Sequence, residues 1–91
     1  MDKPPKFDRR DYVNIDLGVD RTPGDTIRIL REMSELTQKE LEELTGIPQT
    51  TISAIENNRQ NLGVERAKTF ARAFRVHPAV ILFPNWDSNA A

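Results

Sequence analysis

The sequence predicts an all-α domain of five helices preceded by a short extended N-terminal arm. Three observations support this. Apolar residues recur at helical spacing from Ile27 to Phe74. Helix start and stop signals punctuate that stretch at Thr22-Pro23, Thr37, Gly46 and His77-Pro78. Only one segment, "DYVNIDLGVD", alternates with period two, so a sheet has no second strand within the chain.

The arm comprises residues 1–21. "MDKPPKFDRR" is polar, carries Pro-Pro and reads as flexible. In the next segment Val13, Ile15 and Leu17 alternate with Asn14 and Asp16, which suggests a short strand. It could pack on the helices or dock on a partner, and the sequence leaves both open.

The domain itself is expected over residues 22–84. A first helix is expected over 23–34, with Thr22 as N-cap, Pro23 at the first position and Asp25 at the positive end. Ile27, Leu30 and Met33 form its apolar stripe. The second helix opens on Thr37-Gln38-Lys39-Glu40, a capping box, with Leu36 placed to staple onto Leu41. Leu41 and Leu44 face inward, and Gly46 ends the helix.

The third helix is expected over 48–57, burying Ile52 and Ile55, with Asn58 as its left-handed exit. The fourth spans 64–74 on Val64, Ala67, Phe70, Ala71 and Phe74. The fifth starts with His77 as cap and Pro78 at the first position, and Pro84 stops it. His77, the sole histidine, fits a cap better than a switch or ligand. Residues 85–91 form a C-terminal tail, frayed apart from Trp86.

Composition narrows the function. Without cysteine the chain has no disulfide or thiolate metal site. It has no Gly-rich phosphate loop and no paired catalytic constellation, so an enzyme is not expected, nor any cofactor or metal. No apolar run is long enough for a membrane span and no signal peptide is evident, so a cytoplasmic location is expected. The net charge is −1. Any basic face must therefore arise from geometry rather than excess.

The second and third helices are joined by a very tight turn at Gly46-Ile47. This is the helix-turn-helix pattern, in which the second of the two helices can enter a DNA major groove. "LTQKELEELTG", "TTISAIEN" and "ARAFRVHPAVIL" resemble the Cro/CI-type (XRE) helix-turn-helix domain of phage repressors and many bacterial regulators. The likeness runs from about Ile27 to Leu82 and implies a lambda-repressor-like fold.

The resemblance also implies site residues. Gln38, with Lys39 beside it, would hold a phosphate at the start of the second helix. Gln49, Thr50, Thr51, Ser53 and Ala54 would meet base edges: Gln can pair with adenine, and Thr or Ala can pack on a thymine methyl. Asn57, Asn58 and Arg59 would take phosphates, whereas Arg66 fits a plain surface charge better. Arg31 and Glu56 would form a partly buried ion pair.

Two departures stand out. Pro48 replaces the usual hydroxyl cap of the third helix, so that helix lacks a side-chain cap of its own. Glu40, Glu42 and Glu43 make the second helix acidic.

Val80, Ile81, Leu82 and Phe83 make the last helix strongly apolar. Family members dimerise through this region, which implies a homodimer interface at Val80, Ile81 and Phe83. The alternative is that Trp86 and the N-terminal segment fold over these residues. The expected partner is double-stranded DNA carrying an inverted-repeat operator, bound by a repressor. The small size and extra terminal segments are similar to HigA-type antitoxins, which implies autoregulation and a cognate toxin partner. A stand-alone phage-like or host regulator, or a protein-interaction module on the same fold, are the alternatives.

Overall fold

A computed structural model describes residues 21–85. Among these the backbone is all-helical: α1 Pro23–Met33, α2 Gln38–Thr45, α3 Gln49–Glu56, α4 Val64–Phe74 and α5 Pro78–Leu82. The arm, its suggested strand and most of the C-terminal tail lie outside the described residues.

Three of the five helices begin on a side-chain cap. Thr22 and Thr37 both form full capping boxes, with Asp25 and Glu40 as the reciprocal acidic partners. The Asp25 carboxylate is held below the usual aspartate range, chiefly by the Thr22 N–H that it accepts at 3.0 Å. His77 Nδ1 accepts from the Ala79 N–H at 3.0 Å and so caps α5, with Pro78 at the first position.

The first four helices end on left-handed residues. Gly46 has φ 76°, and Glu35, Asn58 and Arg75 have φ 58°, 60° and 60°. The last three close Schellman motifs. Leu36 N–H donates to Arg31 O at 3.1 Å, Arg59 N–H to Ala54 O at 2.8 Å, and Val76 N–H to Ala71 O at 3.0 Å. Asparagine tolerates this conformation; Glu35 and Arg75 adopt it at some cost.

The core gathers one stripe from each helix. Ile27, Leu30, Leu41, Ile52, Ile55, Phe70, Phe74 and Ile81 are buried, with Leu36, Ile47 and Val76 contributed by the connections. Leu36 and Leu41 are both buried, as the staple requires. α1 is central: it packs against α3, α4 and α5, while α2 packs against α3 and α4.

Gly24 allows α1 and α3 to approach closely. A Cβ at this position would overlap the main-chain oxygen of Ile55. At the opposite edge the two ends of the domain are tied together. Asn85 donates to the Arg21 carbonyl at 3.0 Å and accepts from the Arg21 N–H at 2.9 Å, and the Arg21 guanidinium reaches Pro84 O at 3.1 Å. These bonds hold residues 21 and 85 side by side at the edge of the helical unit.

Ile81 departs from its expected interface role. It is fully buried within the domain's own core, so it has no surface to offer a second copy. Val80 is half-buried, and Phe83 is 62% exposed.

Candidate nucleic-acid interface

The turn between α2 and α3 is held by three local bonds. Gly46 N–H donates to Glu42 O at 2.7 Å, Thr45 Oγ1 donates to Leu41 O at 2.8 Å, and Ile47 N–H donates to Thr45 Oγ1 at 3.1 Å. Gly46 takes the left-handed conformation and Ile47 plugs the core. Only Gly46, Ile47 and Pro48 separate the two helices, which fixes their angle.

Pro48 supplies no side-chain cap to α3, as its chemistry requires. A carboxylate from the preceding helix takes that place. Glu42 Oε1 accepts from the Gln49 N–H at 3.2 Å and also lies 3.5 Å from Lys39 Nζ. The cap that local sequence lacks is therefore provided through space.

α3 has two distinct sides. Ile52, Ile55 and Glu56 are buried. Gln49 and Thr50 are exposed, and Thr51, Ser53 and Ala54 are half-exposed. The five residues expected to meet base edges thus all retain surface, with Gln49 and Thr50 the most open.

The residues after α3 are more constrained than their sequence suggests. Asn57 Nδ2 donates back to Ser53 O at 2.8 Å and to Ser53 Oγ at 3.4 Å. Asn58 Oδ1 accepts from Thr22 Oγ1 at 2.7 Å, which joins the cap of α1 to the exit of α3. Arg59 is exposed, and its N–H closes the end of α3.

Beneath α3 lies the expected ion pair. Arg31 Nε and Nη2 meet Glu56 Oε2 and Oε1 at 2.7 and 3.0 Å in a two-pronged contact. Nη1 donates to Leu36 O at 2.9 Å. The hydrogen bond to Glu56 is the main cause that raises the guanidinium's pKa still further. Gln38 Nε2 also donates to Glu56 Oε1, at 3.1 Å. This orients the Gln38 amide and uses one of its two N–H groups. Lys39 remains mostly exposed.

Sequence reading missed Gly24, Glu42, and the contacts of Thr22 and Arg21. Gly24 had one visible signal, a glycine in the first turn of a helix, where it costs stability unless close packing needs it. The others join residues whose spacing carries no motif.

A family model described as Helix-turn-helix matches residues 27–81, more than half of the chain. The match contains α2, the turn and α3 entirely. No curated protein and no solved structure matches the chain.

Proposed function

The chain belongs to the helix-turn-helix family, in its XRE-type branch, and on that premise we propose that it is a sequence-specific repressor that binds an inverted-repeat operator as a homodimer. The family is one of DNA-binding transcription regulators rather than enzymes. One observation supports base reading above the rest: α3 follows α2 across a rigid turn with Gln49 and Thr50 exposed and uncharged. Thr51, Ser53 and Ala54 extend the same reading surface. Gln38 and Arg59 are the phosphate ligands that fix the register, while Lys39, beside Gln38, faces the Glu42 carboxylate at 3.5 Å. Asn57 and Asn58 shape the exit of α3 and contact the backbone only with their remaining capacity.

The homodimer joins through Val80 and Phe83. Two copies so joined place their reading helices at half-sites about 34 Å apart. The N-terminal arm, residues 1–21, and the C-terminal tail, residues 85–91, are additional to the matched helix-turn-helix region. They support a HigA-type antitoxin that represses its own operon in the cytoplasm and engages a cognate toxin through a terminal segment. A stand-alone regulator is the alternative. A module that binds only protein gains support from the acid of α2. That support is weak, because Glu40 caps α2 and Glu42 caps α3, which leaves Glu43 as the exposed charge without either task.

Mobility shift on the DNA upstream of the chain's own gene tests the reading, beside Gln49→Ala. A specific shift that weakens with salt is expected, and the variant loses roughly 1–3 kcal/mol of discrimination. A folded, dimeric wild type with no shift would favour the protein-binding module. Co-purification with the product of the adjacent gene separates the antitoxin from the stand-alone regulator.

A further inference from the structure

Glu42 stands between two groups that would otherwise attract a DNA phosphate. One is the start of α3, where amide groups and the helix dipole favour an anion. The other is Lys39, a compact cation that is 66% exposed. Glu42 Oε1 accepts from the first amide of α3 at 3.2 Å and lies 3.5 Å from the Lys39 ammonium. The same carboxylate oxygen therefore neutralises both. Its side chain is 33% exposed, at the surface rather than in the core.

The charge of the whole unit gives this local arrangement its weight. Residues 21–85 carry nine basic groups (Arg21, Arg28, Arg31, Lys39, Arg59, Arg66, Lys68, Arg72, Arg75) against eight acidic ones (Asp25, Glu32, Glu35, Glu40, Glu42, Glu43, Glu56, Glu65). A domain with so small an excess gains little from backbone attraction, which normally supplies most non-specific affinity. One negative charge placed at the reading helix lowers that share again.

We propose that Glu42 is a specificity-determining residue: it holds α3 in register through Gln49 and keeps phosphates from Lys39 and the start of α3. Binding then depends on the base contacts of α3 rather than on phosphate attraction. This inference rests on the DNA-reading role of α3.

The test compares wild type, Glu42→Gln and Glu42→Ala on two duplexes. One duplex is enriched by the wild type from a random-sequence library, and the other is its shuffled version. Binding is measured between about 50 and 200 mM salt. Glu42→Gln keeps the acceptor for the Gln49 N–H and removes the charge. It should bind the shuffled duplex roughly two- to fivefold tighter at low salt, the scale of one surface charge contact. Its salt slope should steepen by about 0.9, the signature of one more phosphate engaged. The ratio of selected to shuffled affinity should fall. Glu42→Ala also removes the acceptor, so it should lose affinity for the selected duplex as well.

A merely structural Glu42 would lower the melting temperature and both affinities in parallel, with the salt slope and the ratio unchanged. That result overturns the proposal. A wild type that enriches a sequence, beside a Glu42→Gln that matches it on both duplexes, sinks the role of Glu42 and leaves base reading intact. A wild type that enriches no sequence removes the DNA-reading role and this inference together.

Discussion

Gly24 lies against Ile55 where α1 meets α3: a methyl group on Gly24 would overlap the Ile55 carbonyl oxygen, and that nearest atom is backbone. Backbone cannot rotate away as a side chain can. Gly24→Ala should therefore destabilise the domain by about 1–3 kcal/mol, even though alanine is the better helix former. Chemical denaturation measures the loss. A variant as stable as the wild type would mean that α1 and α3 can separate freely.

The Arg31–Glu56 pair predicts an asymmetric response. The Glu56 side chain is 3% exposed and the Arg31 side chain 14%. Arg31→Ala leaves a nearly buried carboxylate with only the Gln38 amide as a side-chain partner, and should cost about 3–5 kcal/mol. Glu56→Ala should cost less, because Arg31 is more exposed and keeps its bond to Leu36 O. Replacing both with apolar residues, Arg31→Met with Glu56→Leu, should recover part of the loss. Urea midpoints of the three variants decide the order.

Asp25 gives the domain an acid-sensitive joint. Its folded pKa lies below the unfolded value of 3.8, chiefly because it accepts the Thr22 N–H. A depressed carboxylate contributes stability above its unfolded pKa and loses it as pH falls through the folded value. Asp25→Asn should thus be less stable than wild type at neutral pH. The gap should close below the ordinary carboxylate range. Thermal melts of both proteins from neutral to acid pH check this, and a gap that widens in acid would reverse the assignment.

Much of the fold was legible because its signals are local. The Thr37–Glu40 box, the Gly46 exit and the 64–74 helix each rest on residues within a few positions of one another, and each stands as expected. The Arg31–Glu56 pair was legible only through family resemblance, since nothing in its spacing announces it. Contacts between distant residues gave no warning: Arg21 with Asn85, Thr22 with Asn58, and Gly24 with Ile55. Pro48 cannot cap α3, as expected, but the capping acid Glu42 lies seven residues before the Gln49 amide, on another helix. The run "AVILF" is apolar on every side. Five residues of helix are too few for a period to separate Ile81, which is buried, from Phe83, which is exposed.

Arg75 offers a stabilising change. Its φ of 60° is unfavourable for a side chain with a Cβ, and the side chain is exposed. The Schellman bonds it closes use only main-chain atoms, Arg75 N–H to Arg72 O at 3.3 Å and Val76 N–H to Ala71 O at 3.0 Å. Arg75→Gly should keep both bonds and relieve the strain. After the extra unfolded-state entropy of glycine is set against it, the gain should be about 0.5–1 kcal/mol. An unchanged or lower melting temperature would show that the arginine has a stabilising contact that outweighs the strain.

Ile81 and Phe83 separate folding from assembly. Ile81 is fully buried and Phe83 is 62% exposed. A charge at position 81 must enter the core without a partner, so Ile81→Asp should unfold the domain. Phe83→Asp meets water in the isolated domain and should leave its melt nearly unchanged. If two copies join through this face, the same charge is forced into their contact and the dimer should dissociate. Sedimentation across a range of concentrations reads that directly. Affinity for the full operator should then fall while contact with a half-site persists, since α3 packs on α2 and α1 rather than on α5. A folded Phe83→Asp that sediments as a dimer would place the interface elsewhere on the molecule.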